Sequence, residues 1–427
     1  MGSAHDYDRS LWSSRTDVNH ARAQQAGLTA EVVTAMSTPF NDKSCFLVES
    51  AIRQGYRMTI MTSPFQGDDT QAAFSNHEKE RLSSYYGRLQ RERILQRELG
   101  VPNPLFNLGN YTKADVQALQ PPAPGSAVEA ALVEYLLAHP HLYLFTDAFD
   151  ALVQLSPIEL HRRVRANWPT EGDTEEYFVV SAEANQTPPI KTREWYPDSR
   201  KHMFPFVNSG LWIARLDRMI RFTEHVANSS FAECTGFWSY SDQCKMMAAI
   251  SDPARRFTEF QIPRDLNSSI LQNMMPASER QAKYGLREDI FRDKRIFHPA
   301  VHLGMTPEGL ITRRDAAITP VALHWNGPSK RFNEFNQPIN ANTTAVDFTV
   351  YKNLGWMRRP IAPGGEKPYY FHLSRAEVET YLSVYDVGLQ LNTTLRDDLF
   401  TQCTANLGNT INWYGEILQR TGLATTP

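Results

Sequence analysis

The chain has 427 residues, 41% of them hydrophobic and 21% charged, with a net charge of −3. That size calls for one large or two ordinary domains with a sizeable core. The charge balance excludes a strongly basic nucleic-acid binder, and no apolar run reaches the roughly 18–20 residues of a membrane span.

Residues 1–27 are polar, hold no apolar signal core and are expected to form a flexible tail. They leave a soluble protein placed either in the cytoplasm or in a secretory lumen with its signal removed. Ala30 to Ser37 (AEVVTAMS) reads as a buried strand. A helix starts near Asn41 or Asp42 and stops at Gly55, and Tyr56 to Ser63 (YRMTIMTS) is a second strand. Strand, helix and strand in that order predict a parallel α/β unit. Asn76 to Gly100 is helical and rich in both signs of charge, and reads as a solvated helix face. The stretch from Val101 to Ser126 is expected to be a long irregular link.

Ala127 to His139 restores a helix, and HLYLF returns to a strand. Ser156 is placed to cap a helix that begins at Pro157. Glu176 to Glu183 is a strand, GLWIARLDRMIRFTEHVA a short strand running into a helix, and SDQCKMMAAIS a helix capped by Ser241. AITPVALHWNGPSK is a strand that ends in a histidine. Beyond Arg331 the chain is mixed, with two or three helices. Trp356 and Trp413, with Tyr369 and Tyr370, could form a sugar platform there, and core packing is the reading preferred.

The four cysteines, Cys45, Cys234, Cys244 and Cys403, form no CxxC pair and are expected as scattered buried thiols. Asn-x-Ser/Thr sequons begin at Asn110, Asn185, Asn228, Asn267, Asn342 and Asn392, which is compatible with a secretory protein.

The strand HLYLF runs into Thr146-Asp147-Ala148-Phe149-Asp150. Hard cations such as Mg²⁺ and Mn²⁺ take oxygen ligands and are commonly held by one or two carboxylates plus substrate phosphates. Ligands of α/β sheets bind outside the carboxyl ends of the strands. Asp147 and Asp150 therefore suit a metal–diphosphate site. An N-cap beside a solvated aspartate, or a phosphoaspartate nucleophile, are the other readings of that stretch. His324 can serve as a further Mn²⁺ ligand, Gly327 allows close approach to phosphate, and Lys330 can neutralise a diphosphate.

Several motifs, taken together and in order, resemble the glycosyltransferase domain of the procollagen lysyl hydroxylases and related collagen-type glycosyltransferases. They are VVTAMSTPF, FTDAFDALVQLSPIEL, YFVVSAE, YPDSRKHMFPFVNSGLWIA, SDQ, DLNSSILQNM and HWNGPSK, and they span roughly residues 30–332. The resemblance implies an α/β, GT-A (Rossmann-like) fold over residues 28–332, with a helical insertion at about 65–125. Residues 333–427 would form a mixed, partly helical C-terminal extension that could bind acceptor. It also implies a UDP-sugar donor and Mn²⁺, with Mg²⁺ an alternative. Carried over by motif, Asp147, Asp150 and His324 would bind the metal. Thr34 and Ala35 would contact the uridine, and Gly327 and Lys330 the diphosphate. Asp242 would face the sugar and acceptor, while Asn208 and Asn326 would hold the donor sugar.

Three departures stand out. SYSD replaces the family's aspartate run, NQTPPI replaces its Cys-Trp-Pro, and GSAVEAALVEYLL lacks its basic residue. None of the twelve histidines has an acid two residues later, so the oxygenase half of a lysyl hydroxylase is not expected. The function expected is transfer of a hexose, glucose or galactose, to a hydroxyl acceptor. A nucleotide-sugar-binding module without turnover and a metal-dependent phosphohydrolase built on Asp147 and Asp150 are the rival readings.

Overall fold

The computed structural model describes residues 9–38, 40, 44–64, 77–148, 151–168, 178–186, 195–196, 201–235, 241–254, 256–274, 297, 302–305, 310–324 and 373–405. The first half of the chain runs α1 (Arg9–Gln25), β1 (Thr29–Thr38), α2 (Ser44–Arg53), β2 (Arg57–Pro64) and α3 (His77–Arg93). It continues through α4 (Lys113–Ala118), α5 (Ala127–Ala138), β3 (His141–Thr146), β4 (Ala151–Val153) and α6 (Pro157–Asn167). Then come β5 (Phe178–Glu183), β6 (Phe206–Ala214), α7 (Leu216–Asn228), α8 (Asp242–Ser251), β7 (Arg264–Asp265) and β8 (Leu271–Asn273). The last elements are β9 (Leu303–Met305), β10 (Ile311–Arg313), β11 (Ala322–His324), α9 (Arg375–Tyr381), β12 (Leu382–Tyr385) and α10 (Thr393–Ala405).

One mixed sheet organises these elements, in the order β12-β2-β1-β3-β6-β5-β8-β11-β4, with β7 beside β5 and a separate β9–β10 ribbon. β12, β2, β1 and β3 are parallel, and β6 reverses direction between β3 and β5. The class is α/β, as expected from the alternation of elements. Central strands bury both faces, so apolar residues occupy successive positions and point alternately to two cores. Val32, Leu142 and Leu144 face one core with Leu47, Leu160 and Leu399 of α2, α6 and α10. Val33, Tyr143 and Phe145 face the other with Leu82, Met219 and Met247 of α3, α7 and α8. The result is a sheet with helices on both sides.

On α7, Met219, Ile220, Phe222, Thr223 and Val226 are buried at helical spacing. Gly87 of α3 lets the two helices meet closely, because a Cβ there would lie 2.6 Å from Ile220 Cγ1. Helix α6 starts as the sequence predicts, with the Ser156 side chain accepting from the Glu159 N–H and Pro157 in the first turn. Ser241 caps α8 in the same way.

Four expectations need correction. Residues 9–25 are no loose tail: α1 buries Thr16, His20 and Ala23, and Asn19 donates to the Arg53 carbonyl at 2.7 Å. Helix α3 is no solvated face, since Glu80, Arg91 and Glu92 are buried along with Leu82 and Leu89. The link from Val101 to Ser126 contains α4, held by a capping box between Thr112 and Asp115. The cysteines pair, Cys45 with Cys403 and Cys234 with Cys244.

Residues 373–405, set apart in sequence as an extension, give β12 to the sheet edge beside β2 and lay Val378, Leu399 and Cys403 into the first core. The Cys45–Cys403 bridge ties this segment to α2. Reducing the two bridges should cost about 2–4 kcal/mol each and lower the midpoint of thermal unfolding. A midpoint unmoved by reductant, with the four thiols already reactive to a thiol probe before it is added, would contradict the pairing.

Candidate active site

Strand direction brings the chemistry to one edge. The C-terminal ends of β3, β5, β8 and β11 and the N-terminal part of β6 lie together, because β6 is antiparallel to its neighbours. A register shift between Val180 and Ser181 breaks the β5–β6 ladder at Asn208 to Leu211. Such an irregularity re-aims side chains at a strand end.

Asp147 follows β3 directly, and its N–H donates to the Gly210 carbonyl at 2.9 Å. Asp147 Oδ2 lies 3.3 Å from His324 Nε2, at the end of β11. His324 Nδ1 lies 2.8 Å from Asn273 Oδ1 and 3.1 Å from Asn208 Oδ1. Both amide oxygens are fixed as oxygens. Asn273 uses its Nδ2 to donate to the Ala182 carbonyl at 2.9 Å, and Asn208 Oδ1 accepts the Gly210 N–H at 2.9 Å. Nδ1 therefore carries a proton, and Nε2 faces Asp147, presenting a lone pair there when the ring is neutral. A ring nitrogen and a carboxylate at this distance can share a proton or a cation. Metal-bound histidines are oriented in this way by a donated hydrogen bond from the other ring nitrogen. The donor set of Asp147 and His324 thus fits a hard divalent cation. Among the described residues no group of three His, Cys, Asp or Glu is arranged to hold one.

The loop that leads into the strand of Asn273 is held by a buried carboxylate. Asp265 accepts from the N–H groups of Ser269, Ile270 and Leu271 and from Ser269 Oγ, at 2.7–2.9 Å. This shapes the tight loop, with Ser268 at φ 47°, that launches β8. Burial pushes the Asp265 carboxyl above the usual range, and these four hydrogen bonds pull the other way.

Asp242 heads α8 and is buried. Its Oδ1 accepts the Gln243 N–H at 2.8 Å, and its Oδ2 accepts from Ser209 Oγ at 3.1 Å. Gln243 fastens the helix start to the sheet: it donates to Glu183 Oε1 at 2.9 Å and to the Val207 carbonyl, and accepts the Ser209 N–H at 2.5 Å. The Cys234–Cys244 bridge anchors the same first turn.

A residue with no assigned role in the sequence completes the cluster. Lys79, in the first turn of α3, donates to Asp147 Oδ1 at 2.7 Å and stands 3.6 Å from Asp242 Oδ2. Burial works against its charge, but Asp147 and Asp242 more than offset this and its pKa rises. Neighbouring Glu80 is pushed up to about 8 by burial and by the Asp242 charge.

The structure therefore brings Asp147, Asn208, Asp242 and His324 together. Thr34 stands beside Thr146, its hydroxyl donating to the Thr146 carbonyl at 2.7 Å, and Ala35 follows it on β1, also buried. Asp150, Asn326, Gly327 and Lys330 lie outside the described residues. Asn273 had a faint signal, an apolar run ending in a polar residue as in ALH. Lys79 had none, sitting inside a charge-rich helix.

Close packing makes the histidine a sensitive point. A Cβ on Gly210 would lie 2.1 Å from His324 Cε1. Gly210→Ala should cost about 1–3 kcal/mol of stability through overpacking. Turning the ring should weaken divalent-cation affinity by about 10–100-fold. Calorimetric Mn²⁺ titration checks this, and wild-type affinity in a folded Gly210→Ala protein would contradict the placement of the ring.

No family model matches the chain, and no curated protein matches it. Solved structures similar to it include the galactosyltransferase LgtC in complex with donor and acceptor sugar analogs and an active-site mutant of LgtC. Each is 13% identical, with a TM-score of 0.29, and the match covers 71% of this chain and 94% of that one.

Proposed function

We propose that the protein is a divalent-metal-dependent glycosyltransferase of the GT-A type, transferring a hexose, glucose or galactose, from a UDP-sugar to a hydroxyl acceptor. One observation carries this reading: a carboxylate and a histidine ring nitrogen meet at the carboxyl edge of a mixed α/β sheet, with a second carboxylate on a helix start beside them. The sequence motifs that carry the family resemblance supply these same residues.

Asp147 and His324 would hold Mn²⁺ or Mg²⁺, joined by Asp150. When bound, the cation supplies charge stabilisation to the departing diphosphate. Asn208 and Asn273 keep the His324 ring in one tautomer and one orientation. Asp242, held by Ser209 and the α8 start, would act as general base or stabilise positive charge on the sugar. Thr34 and Ala35 would line the uridine end, Asn326 would help hold the donor sugar, and Gly327 and Lys330 would meet the diphosphate. The two disulfides favour an oxidising compartment. Exposed sequon asparagines at Asn110, Asn228 and Asn267 agree with that. Among the described residues no helix is long and apolar enough to cross a membrane.

The test is UDP release from a panel of UDP-sugars with Mn²⁺, Mg²⁺ or EDTA and no added acceptor. Release from one sugar, only with metal, is expected. Absence of both release and metal-dependent UDP binding would sink the proposal.

A further inference from the structure

Lys79 is costly where it stands. A cation in the first turn of a helix opposes the helix dipole, and its ammonium is drawn largely out of water. Two carboxylates repay this, and they are the two that the proposed chemistry uses. Asp147 divides its oxygens: Oδ1 accepts from Lys79 at 2.7 Å, and Oδ2 lies 3.3 Å from His324 Nε2. The same ammonium stands 3.6 Å from Asp242 Oδ2. A divalent cation drawn to Asp147 Oδ2 and His324 Nε2 must enter beside a fixed positive charge that already neutralises part of the carboxylate.

We infer that Lys79 holds the divalent cation's affinity low in the free protein, so that metal binds together with the nucleotide diphosphate and not before it. The diphosphate brings the negative charge that Lys79 has cancelled. With the ammonium next to the leaving group, Lys79 then becomes a second positive contact for that charge. The inference rests on the metal–nucleotide reading above and adds to it a residue and an order of events. Lys79 acts here as a positioning residue and a fixed charge. Glu80 and Lys245 also act on Asp242 and are left unchanged by the variants that test the idea.

The experiment measures free Mn²⁺ by electron paramagnetic resonance over wild type, Lys79→Met and Lys79→Arg, each with and without UDP. In the wild type, UDP should tighten Mn²⁺ binding by at least about tenfold, the order expected for removing one nearby like charge. Lys79→Met should bind Mn²⁺ alone about tenfold more tightly than wild type, with a smaller further gain from UDP. Lys79→Arg should keep the wild-type pattern. If Lys79→Met binds Mn²⁺ no more tightly than wild type, or if Lys79→Arg behaves like Lys79→Met, the inference fails while the metal site stands. A wild-type protein that binds Mn²⁺ equally with and without UDP overturns it even if the methionine variant does not fold. No Mn²⁺ binding under any condition overturns the functional reading as well.

Discussion

Asp147→Ala should abolish metal-dependent binding of UDP and lower donor turnover by about 10³-fold or more, the scale of losing a principal charge-stabilising group. The reason is geometric. Asp147 touches both His324 and Lys79, at 3.3 and 2.7 Å. Without it His324 Nε2 loses the carboxylate it faces, and Lys79 loses its 2.7 Å partner. The fold should survive, because Asp147 joins the sheet through its backbone N–H, which alanine retains. Titration of UDP with and without Mn²⁺ reads the effect. A folded Asp147→Ala protein with wild-type metal-dependent affinity would remove Asp147 from the site.

Asp242→Asn should separate binding from turnover. The amide keeps the size of the side chain and an oxygen for the Gln243 N–H, so α8 should still start in place. What is lost is a charge and a base. Removal of a positioned general base lowers rate by about 10²–10⁴-fold. UDP affinity should change little, since His324 and Asp147 remain. Measuring kcat and the UDP dissociation constant side by side tests this. Equal turnover in the variant would show that the catalytic carboxylate is elsewhere, and a large loss of UDP binding would move Asp242 to the metal shell.

The layers and much of the edge were legible in the sequence because they follow from periodicity and capping. Continuous apolar runs such as AEVVTAMS and HLYLF required strands buried on both faces. Ser156-Pro157 and Ser241 marked helix starts by the hydrogen bonds their side chains make. Asp147 and His324 were legible because each follows an apolar strand directly. The remainder depended on long-range contact. Arg91 and Glu92 look solvated in sequence, yet Arg91 lies near Glu224 and Asp217 of α7, and Glu92 accepts from Gln96 and Asn103. Thr16, His20 and Ala23 of α1 carry no strong amphipathic signal, and only docking against Ile52 and Arg53 explains their order. The cysteine pairs join residues 358 and 10 positions apart, and no spacing rule anticipates the first of these. Lys79 reaches Asp147 across 68 residues, so its role could be seen only once the chain was folded.

The central claim is that the His324 Nε2 lone pair and the Asp147 carboxylate share one divalent cation. Pulsed electron paramagnetic resonance of Mn²⁺ bound together with UDP tests it directly. Coupling to a single imidazole nitrogen, lost in His324→Gln with the manganese still bound through nucleotide, is the predicted result. Bound manganese with no nitrogen coupling in the wild type, or with a coupling that persists in His324→Gln, would contradict the account.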